Sequence, residues 1–272
     1  PYTLASDSER CYRQLLNASL YPYWDTYEWI PKESFCVFPK WNTTEFCKVL
    51  HARPNLTKIL FVGDSIMREQ YMALVGLFGW YGNKHYIFSE GDYTICKTNH
   101  TDSSSGIHVR YQRDYMLDNL TIEGGWLPTF NPQLVILNRG IHYDSNRTNF
   151  DNEISKKIAD LQRWHNSSAC STHNHCLAIW KTSVPGHPRC YIKKGRKITK
   201  DYLTPNNNIT AMENLVADSS LYKDTETYKK WGWWAQKQQN EVVLKKFRKS
   251  SLPFLQIMDS YHFQIARPDG HR

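Results

Sequence analysis

The sequence predicts an α/β fold, a parallel sheet with helices on both faces, and three observations predict it. Short apolar runs recur at 59–62, 134–137, 176–183 and 253–260. Segments with apolar residues at helical spacing lie among them, over 66–78, 149–165 and 231–249. Strands alternating with helices in this way pair in parallel and are covered on both faces. Three of the runs also end in polar groups, Gly63-Asp64-Ser65, Asn138-Arg139-Gly140 and Asp259. Those are the carboxyl ends, where such sheets hold ligands.

Taken in order, residues 1–55 are turn-rich and aromatic, are crossed by Cys11, Cys36 and Cys47, and show little periodicity. They read as a disulfide-pinned N-terminal collar on a main domain over 56–272. Ile59 to Val62 is the first buried strand, and Ile66 to Phe78 is a helix with a wide apolar face. The stretch 83–130 reads as a hairpin-containing insertion, because "HVRYQRDYML" alternates polar and apolar residues. "LVIL" at 134–137 is a second buried strand. Phe150, Ile154, Ile158, Leu161 and His165 recur at the spacing of an amphipathic helix. "CLAIWKTS" at 176–183 is a strand, and a polar, basic stretch leads to a helix near 231–249. "PFLQIMDS" at 253–260 makes the last strand.

Composition narrows the function classes. The chain has 272 residues, 40% hydrophobic and 22% charged, which is globular rather than disordered. No stretch approaches the ~18 apolar residues of a membrane span. The start, Pro1-Tyr2-Thr3, lacks a Met and a signal peptide and reads as a processed or trimmed end. The net charge of +8 is scattered, and its densest run, Lys193-Lys194-Gly195-Arg196-Lys197, has no interleaved aromatics. That argues against a nucleic-acid partner and for a solvated loop or an acidic polysaccharide partner.

Asn-x-Ser/Thr sequons occur at Asn17, Asn42, Asn55, Asn99, Asn119, Asn146, Asn166 and Asn208, several times the chance expectation. Together they place the chain in the secretory pathway, in the Golgi lumen or at the cell exterior, carrying N-linked glycans. Seven cysteines suit that oxidising setting, and the odd count leaves one thiol free or paired outside the chain. None has zinc-ligand spacing, and Cys170 and Cys176 are expected to form a disulfide rather than a metal site. No metal or organic cofactor is expected, since phosphate loops, EF-hands and His-Glu-x-x-His motifs do not occur.

The strand ends suit acyl transfer. A serine hydroxyl becomes a competent nucleophile when a histidine takes its proton and an acid orients that histidine. Ser65, between Gly63-Asp64 and a helix, would lie beside a helix N-terminus, which favours negative charge. Asn138 and Gly140 could supply an amide and a backbone N–H to an oxyanion. Asp259 and His262 have the Asp-x-x-His spacing that lets one short loop deliver acid and base. His187 in "PGHPRC" reads as a loop residue, and Trp231, Trp233 and Trp234 as core packing more than sugar stacking. Asp114, Asp118 and Glu123 have no spacing that assigns them an acid–base role.

The block Gly63-Asp64-Ser65-Ile66-Met67-Arg68-Glu69-Gln70 resembles the GDSxxRxQ signature of the PC-esterase, or trichome birefringence-like, proteins of the SGNH (GDSL) hydrolase superfamily. "LVILNRGIHY" is similar to the family's asparagine-glycine-histidine block. "IWKTSVPGHPRC" resembles a strand of its protist and algal branch, and "WGWWAQKQQNEVV" and "IMDSYHFQIARPDGH" resemble its late blocks. The likeness spans about residues 28 to 272. It implies a three-layer SGNH-like, flavodoxin-like α/β/α fold acting on glycan O-acyl groups, usually acetyl, as transferase or esterase through an acyl-serine. Carried over, Ser65 is the nucleophile, Asp64 and Arg68 shape its turn, and Asn138 and Gly140 belong to the oxyanion region. In the family, "RPDGH" normally precedes an Asp-Cys-x-His-x-Cys segment that carries the catalytic acid and base. The given chain ends at Arg272, just after "RPDGH". The pair is therefore expected either downstream of Arg272 or at Asp259 and His262.

A reading of a different class stands beside this one: a structural or carbohydrate-binding extracellular glycoprotein, part of an assembly, with Ser65 idle on the same fold. A histidine within hydrogen-bond reach of Ser65 Oγ, backed by a carboxylate, favours the enzyme.

Overall fold

The computed structural model describes residues 2–4, 27–29, 42–53, 55–79, 91–97, 106–120, 124–139, 149–171, 176–186, 208–218 and 232–265. They fall into two compact units, one of Trp41–Ser183 with Gln238–Met258, the other of Pro1–Lys40, Val184–Lys237 and Asp259–Arg272.

The larger unit is α/β. Its six-stranded sheet comprises Lys58–Gly63 (β1), Gly91–Ile95 (β2), Ile107–Arg113 (β3), Leu134–Leu137 (β4), Leu177–Lys181 (β5) and Leu255–Met258 (β6). Across the sheet they lie in the order β2-β3-β1-β4-β5-β6. β2 pairs antiparallel with β3, and every other pairing is parallel. From β1 the chain runs to the edge strand β2 and back inward to β3 on one side, then crosses to β4 on the other and builds outward, so the winding reverses direction between β1 and β4. In a doubly wound sheet that reversal opens a crevice at the carboxyl ends of the two strands.

Strand pleat divides the apolar residues between two cores. Leu60 and Val62 of β1, Val135 and Leu137 of β4, and Ala178 and Trp180 of β5 turn to one face. There they meet Ile154, Ile158 and Leu161 of the helix Phe150–His165, and Val243 and Phe247 of the helix Gln236–Ser250. Trp180 and Phe247 pack edge to face at 5.3 Å. Ile59 and Phe61 turn to the other face, against Met67, Tyr71 and Val75 of the helix Ser65–Leu77 and Leu50 of the helix Thr43–His51. Full burial of each such side chain stabilises by about 1.5–3 kcal/mol. Register is pinned at the amino ends as well. Gln133 Oε1, just before β4, accepts from the N–H groups of Thr57 and Lys58 at 3.1 and 2.8 Å, holding the start of β1.

The expected strands at 59–62 and 134–137 and the helices at 66–78 and 149–165 are present. The expected strands 176–183 and 253–260 are shorter, at Leu177–Lys181 and Leu255–Met258. The alternating stretch after residue 107 does form an antiparallel pair. Its second strand, however, is built into the main sheet beside β1 rather than set apart as an insertion. Thr43–His51, read as part of an irregular collar, is a helix capped by Asn42, whose Oδ1 accepts from Glu45 N–H at 2.8 Å. The Cys47–Cys96 disulfide ties it to the end of β2, and Cys170–Cys176 closes a short loop as expected. Cys11, Cys36 and Cys190 lie outside the described residues.

In the smaller unit, residues Tyr2–Leu4 and Tyr27–Trp29 pair as an antiparallel ribbon. The helices Ile209–Ala217 and Ser260–Ile265 pack through Met212, Val216, Tyr261 and Ile265. No described helix is long and apolar enough to cross a membrane.

Candidate active site

The reversal point of the sheet carries the Gly-Asp-Ser turn. β1 ends at Gly63, Asp64 takes extended backbone as the N-cap, and Ser65 opens a 13-residue helix. Asp64 is buried, and its Oδ1 accepts from the N–H groups of Ile66 and Met67 at 2.9 and 3.3 Å, a cap that fixes the start of the helix. From the neighbouring strand the Tyr111 hydroxyl donates to the carbonyls of Asp64 and Gly63, at 3.0 and 3.3 Å. Burial first, then the Asp64 charge, push the Tyr111 phenol up to about 12, so it remains a donor at neutral pH. The turn is thus held by its own aspartate and by β3. Ser65 itself is exposed.

Asn138 follows β4 directly and is 1% exposed. Its N–H donates to Val62 O, and its Nδ2 donates to Ser183 Oγ at 3.4 Å. A Cβ at position 63 would sit 3.3 Å from Asn138 Oδ1, 3.2 Å from its carbonyl oxygen and 3.0 Å from Met67 Cβ. Glycine is what lets the asparagine pack against the serine turn. Ser183 is held in turn, since its N–H and C=O are both bonded by the Asn240 side chain, at 2.9 Å each. Arg139 is buried and pairs with Glu153.

Asp259 and His262 are also brought together, in the smaller unit. Asp259 Oδ2 and His262 Nδ1 are 2.6 Å apart, and since a carboxylate only accepts, the ring nitrogen donates. Asp259 Oδ1 accepts His262 N–H at 3.3 Å as well. The other ring nitrogen, Nε2, lies 3.9 Å from Glu213 Oε1, while Glu213 pairs with Lys237 at 2.9 Å. Among the described residues no histidine is bonded to Ser65 Oγ. Arg68 lies in the first turn of the serine helix, where its N–H donates to Asp64 O.

Gly140, His187 and the sequon asparagines Asn17, Asn99 and Asn146 lie outside the described residues, as do Trp231 and Glu123. The sequon residues that are described, Asn42, Asn55, Asn119, Asn166 and Asn208, are all exposed. Asp114 is structural: its carboxylate accepts from the N–H groups of Asp118 and Asn119 and from Trp126 Nε1, ordering the loop after β3.

The sequence reading passed over Lys181, at the end of β5. Its side chain is fully buried, and its Nζ has no hydrogen-bond partner among the described residues. Burial pushes its ammonium down to about 8, against the charges of Asp64 and Glu69, which push it up. A lone lysine closing an apolar run looks like an ordinary strand end, so periodicity gave no sign of it. Among the described residues no group of three His, Cys, Asp or Glu side chains could hold a metal ion. A cleft of about 930 Å³ beside the Cys47–Cys96 disulfide, lined by Lys48, His51, Phe78 and Tyr93, shares no residue with the serine turn.

In comparisons with protein-family models, curated proteins and solved structures, nothing matches the chain.

Proposed function

We propose that the protein is a glycan O-acyltransferase or O-acylesterase, with acetyl as the expected acyl group, working through an acyl-Ser65 intermediate in the secretory pathway. One observation carries the reading. An exposed serine opens a helix at the point where the sheet order reverses, on a turn locked by Asp64 and Tyr111 and packed against a buried asparagine. This is the strand–turn–helix setting in which α/β hydrolytic folds present a nucleophile. The resemblance of residues 63–70 to the PC-esterase signature, which implies an SGNH-like fold, points the same way.

In this reading Ser65 Oγ attacks the acyl carbonyl and gives its proton to a histidine. The carbon–oxygen bond to the leaving alcohol then breaks, and that alcohol takes the proton back. The acyl group passes to a sugar hydroxyl or to water, depending on how well the site excludes water and holds an acceptor. In this reading the Ser65 N–H and the Asn138 amide supply the oxyanion region, since the N–H groups of Ile66 and Met67 are taken by the Asp64 cap. Within its own unit His262 is oriented by Asp259, as a general base needs to be. The Cys47–Cys96 and Cys170–Cys176 disulfides and the sequons suit the oxidising, glycosylating compartment in which such substrates are made.

The test is mass spectrometry of the secreted protein after exposure to a fluorophosphonate probe. The expected result is one adduct, on Ser65, absent from Ser65→Ala. A folded wild-type chain that takes up no probe would overturn the enzyme reading in favour of a glycan-binding or structural glycoprotein.

A further inference from the structure

Lys181 belongs to a row of residues that crosses the sheet beneath the serine turn. Val62 of β1 pairs with Leu137 of β4, and Leu137 with Trp180 of β5. The next residue on each strand is Gly63, Asn138 and Lys181, so these three stand level on adjacent strands about 4.8 Å apart. Val62, Leu137 and Trp180 face the core built on the helices 150–165 and 236–250. Their successors therefore turn to the opposite face, which the serine helix covers. Gly63 leaves its place open for Asn138, since any Cβ there would press on the asparagine, and the other two side chains are polar and buried. Among the described residues, both Asn138 Oδ1 and Lys181 Nζ lack a hydrogen-bond partner.

An ammonium in that position opposes folding, because a buried charge without a hydrogen-bonded partner is among the costliest groups a protein can keep. An apolar residue of the same length would fill the space without that cost. Natural chains break such rules at functional sites. The charges that act on it through space are those of Asp64, which caps the serine helix, and of Glu69 in the same helix.

We propose that Lys181 is a positioning residue for Ser65, a fixed positive charge beneath the first turn of the serine helix. It acts through the Asp64 cap and adds to the helix N-terminus and the Asn138 amide where negative charge develops during acylation. A preorganised charge in a water-excluded site is worth far more than the same charge in solvent. The inference rests on the acyl-serine reading of Ser65.

The experiment compares full-length wild type, Lys181→Met and Lys181→Arg. Fluorophosphonate labelling of Ser65 is resolved into its saturating rate and its half-saturating concentration, and thermal unfolding is recorded beside it. Met is expected to lower the saturating rate by about 10- to 100-fold. It should leave half-saturation nearly unchanged, raise the unfolding temperature, and be largely rescued by Arg. Wild-type labelling in Lys181→Met overturns the inference and leaves the acyl-serine reading standing. Slower labelling accompanied by a lower unfolding temperature also overturns it, since that marks a purely structural lysine, as does a folded Arg variant no faster than Met. If wild-type Ser65 takes no label, the acyl-serine reading fails first and the inference falls with it.

Discussion

Replacing Lys181 with methionine should stabilise the protein, and the size of the gain can be worked from the site. Methionine keeps the length of the chain and removes the charge. An amine that ordinarily titrates at 10.5 and is pushed down to about 8 loses about 3 kcal/mol of folding free energy in its charged form. Below pH 8 the folded protein bears that cost in full. Between about 8 and 10.5 the unfolded chain still binds a proton that the folded chain has released, so the stability contributed by this group rises with pH. Above 10.5 both states are neutral there and the cost is gone. Lys181→Met is therefore expected to unfold roughly 5–10 °C above wild type at pH 7. The gap should narrow as pH is raised through the same window. Paired calorimetric scans at several pH values measure both quantities. A variant no more stable than wild type at neutral pH, or a gap that does not change with pH, would refute the assignment of Lys181 as a buried cation whose burial outweighs the charges around it.

Two further perturbations test the scaffold of the site. The Cys47–Cys96 bridge spans 49 residues and Cys170–Cys176 spans 6, so chain entropy gives a cost of about 4 kcal/mol for opening the first and about 2 for the second. Urea unfolding of the two double Cys→Ser variants checks this, and equal costs would contradict it. Gly63→Ala should destabilise by about 1–3 kcal/mol and slow labelling of Ser65, because the added methyl meets Met67 Cβ and the unyielding Asn138 carbonyl. A variant as stable and as readily labelled as wild type would show that the close packing of the two strand ends is dispensable.

The sheet was legible where strands are buried on both faces, because "ILFV" and "LVIL" have no competing period. It was less legible at β3, where His108, Arg110 and Gln112 alternate with buried Ile107, Val109 and Tyr111 and imitate a solvent-facing hairpin. The helix 43–51 escaped notice because only Leu50 of its residues is buried and its cap was read as a sequon. At the site, Ser65 and Asp64 were visible because a turn needs a cap and a helix needs a start, both local facts. Asp259 and His262 were visible because three residues of separation brings them within reach. Lys181, Ser183 and Asn240 were not. Their meaning comes from which strands are neighbours and from which face each residue takes, and that depends on strand order, a long-range property.

The capping asparagines have a consequence for any glycan attached at their sequons. Asn42 and Asn208 each begin a helix, and in both the cap is the side-chain carbonyl, accepting from Glu45 N–H and from Ala211 N–H. An N-linked sugar is attached through the other end of the amide, at Nδ2, and leaves the carbonyl oxygen an acceptor. Decoration and capping therefore do not compete for the same atom. At these two positions the oligosaccharide would be anchored to an amide whose orientation the helix has already set, so its first sugar would leave the surface in a direction fixed by the backbone.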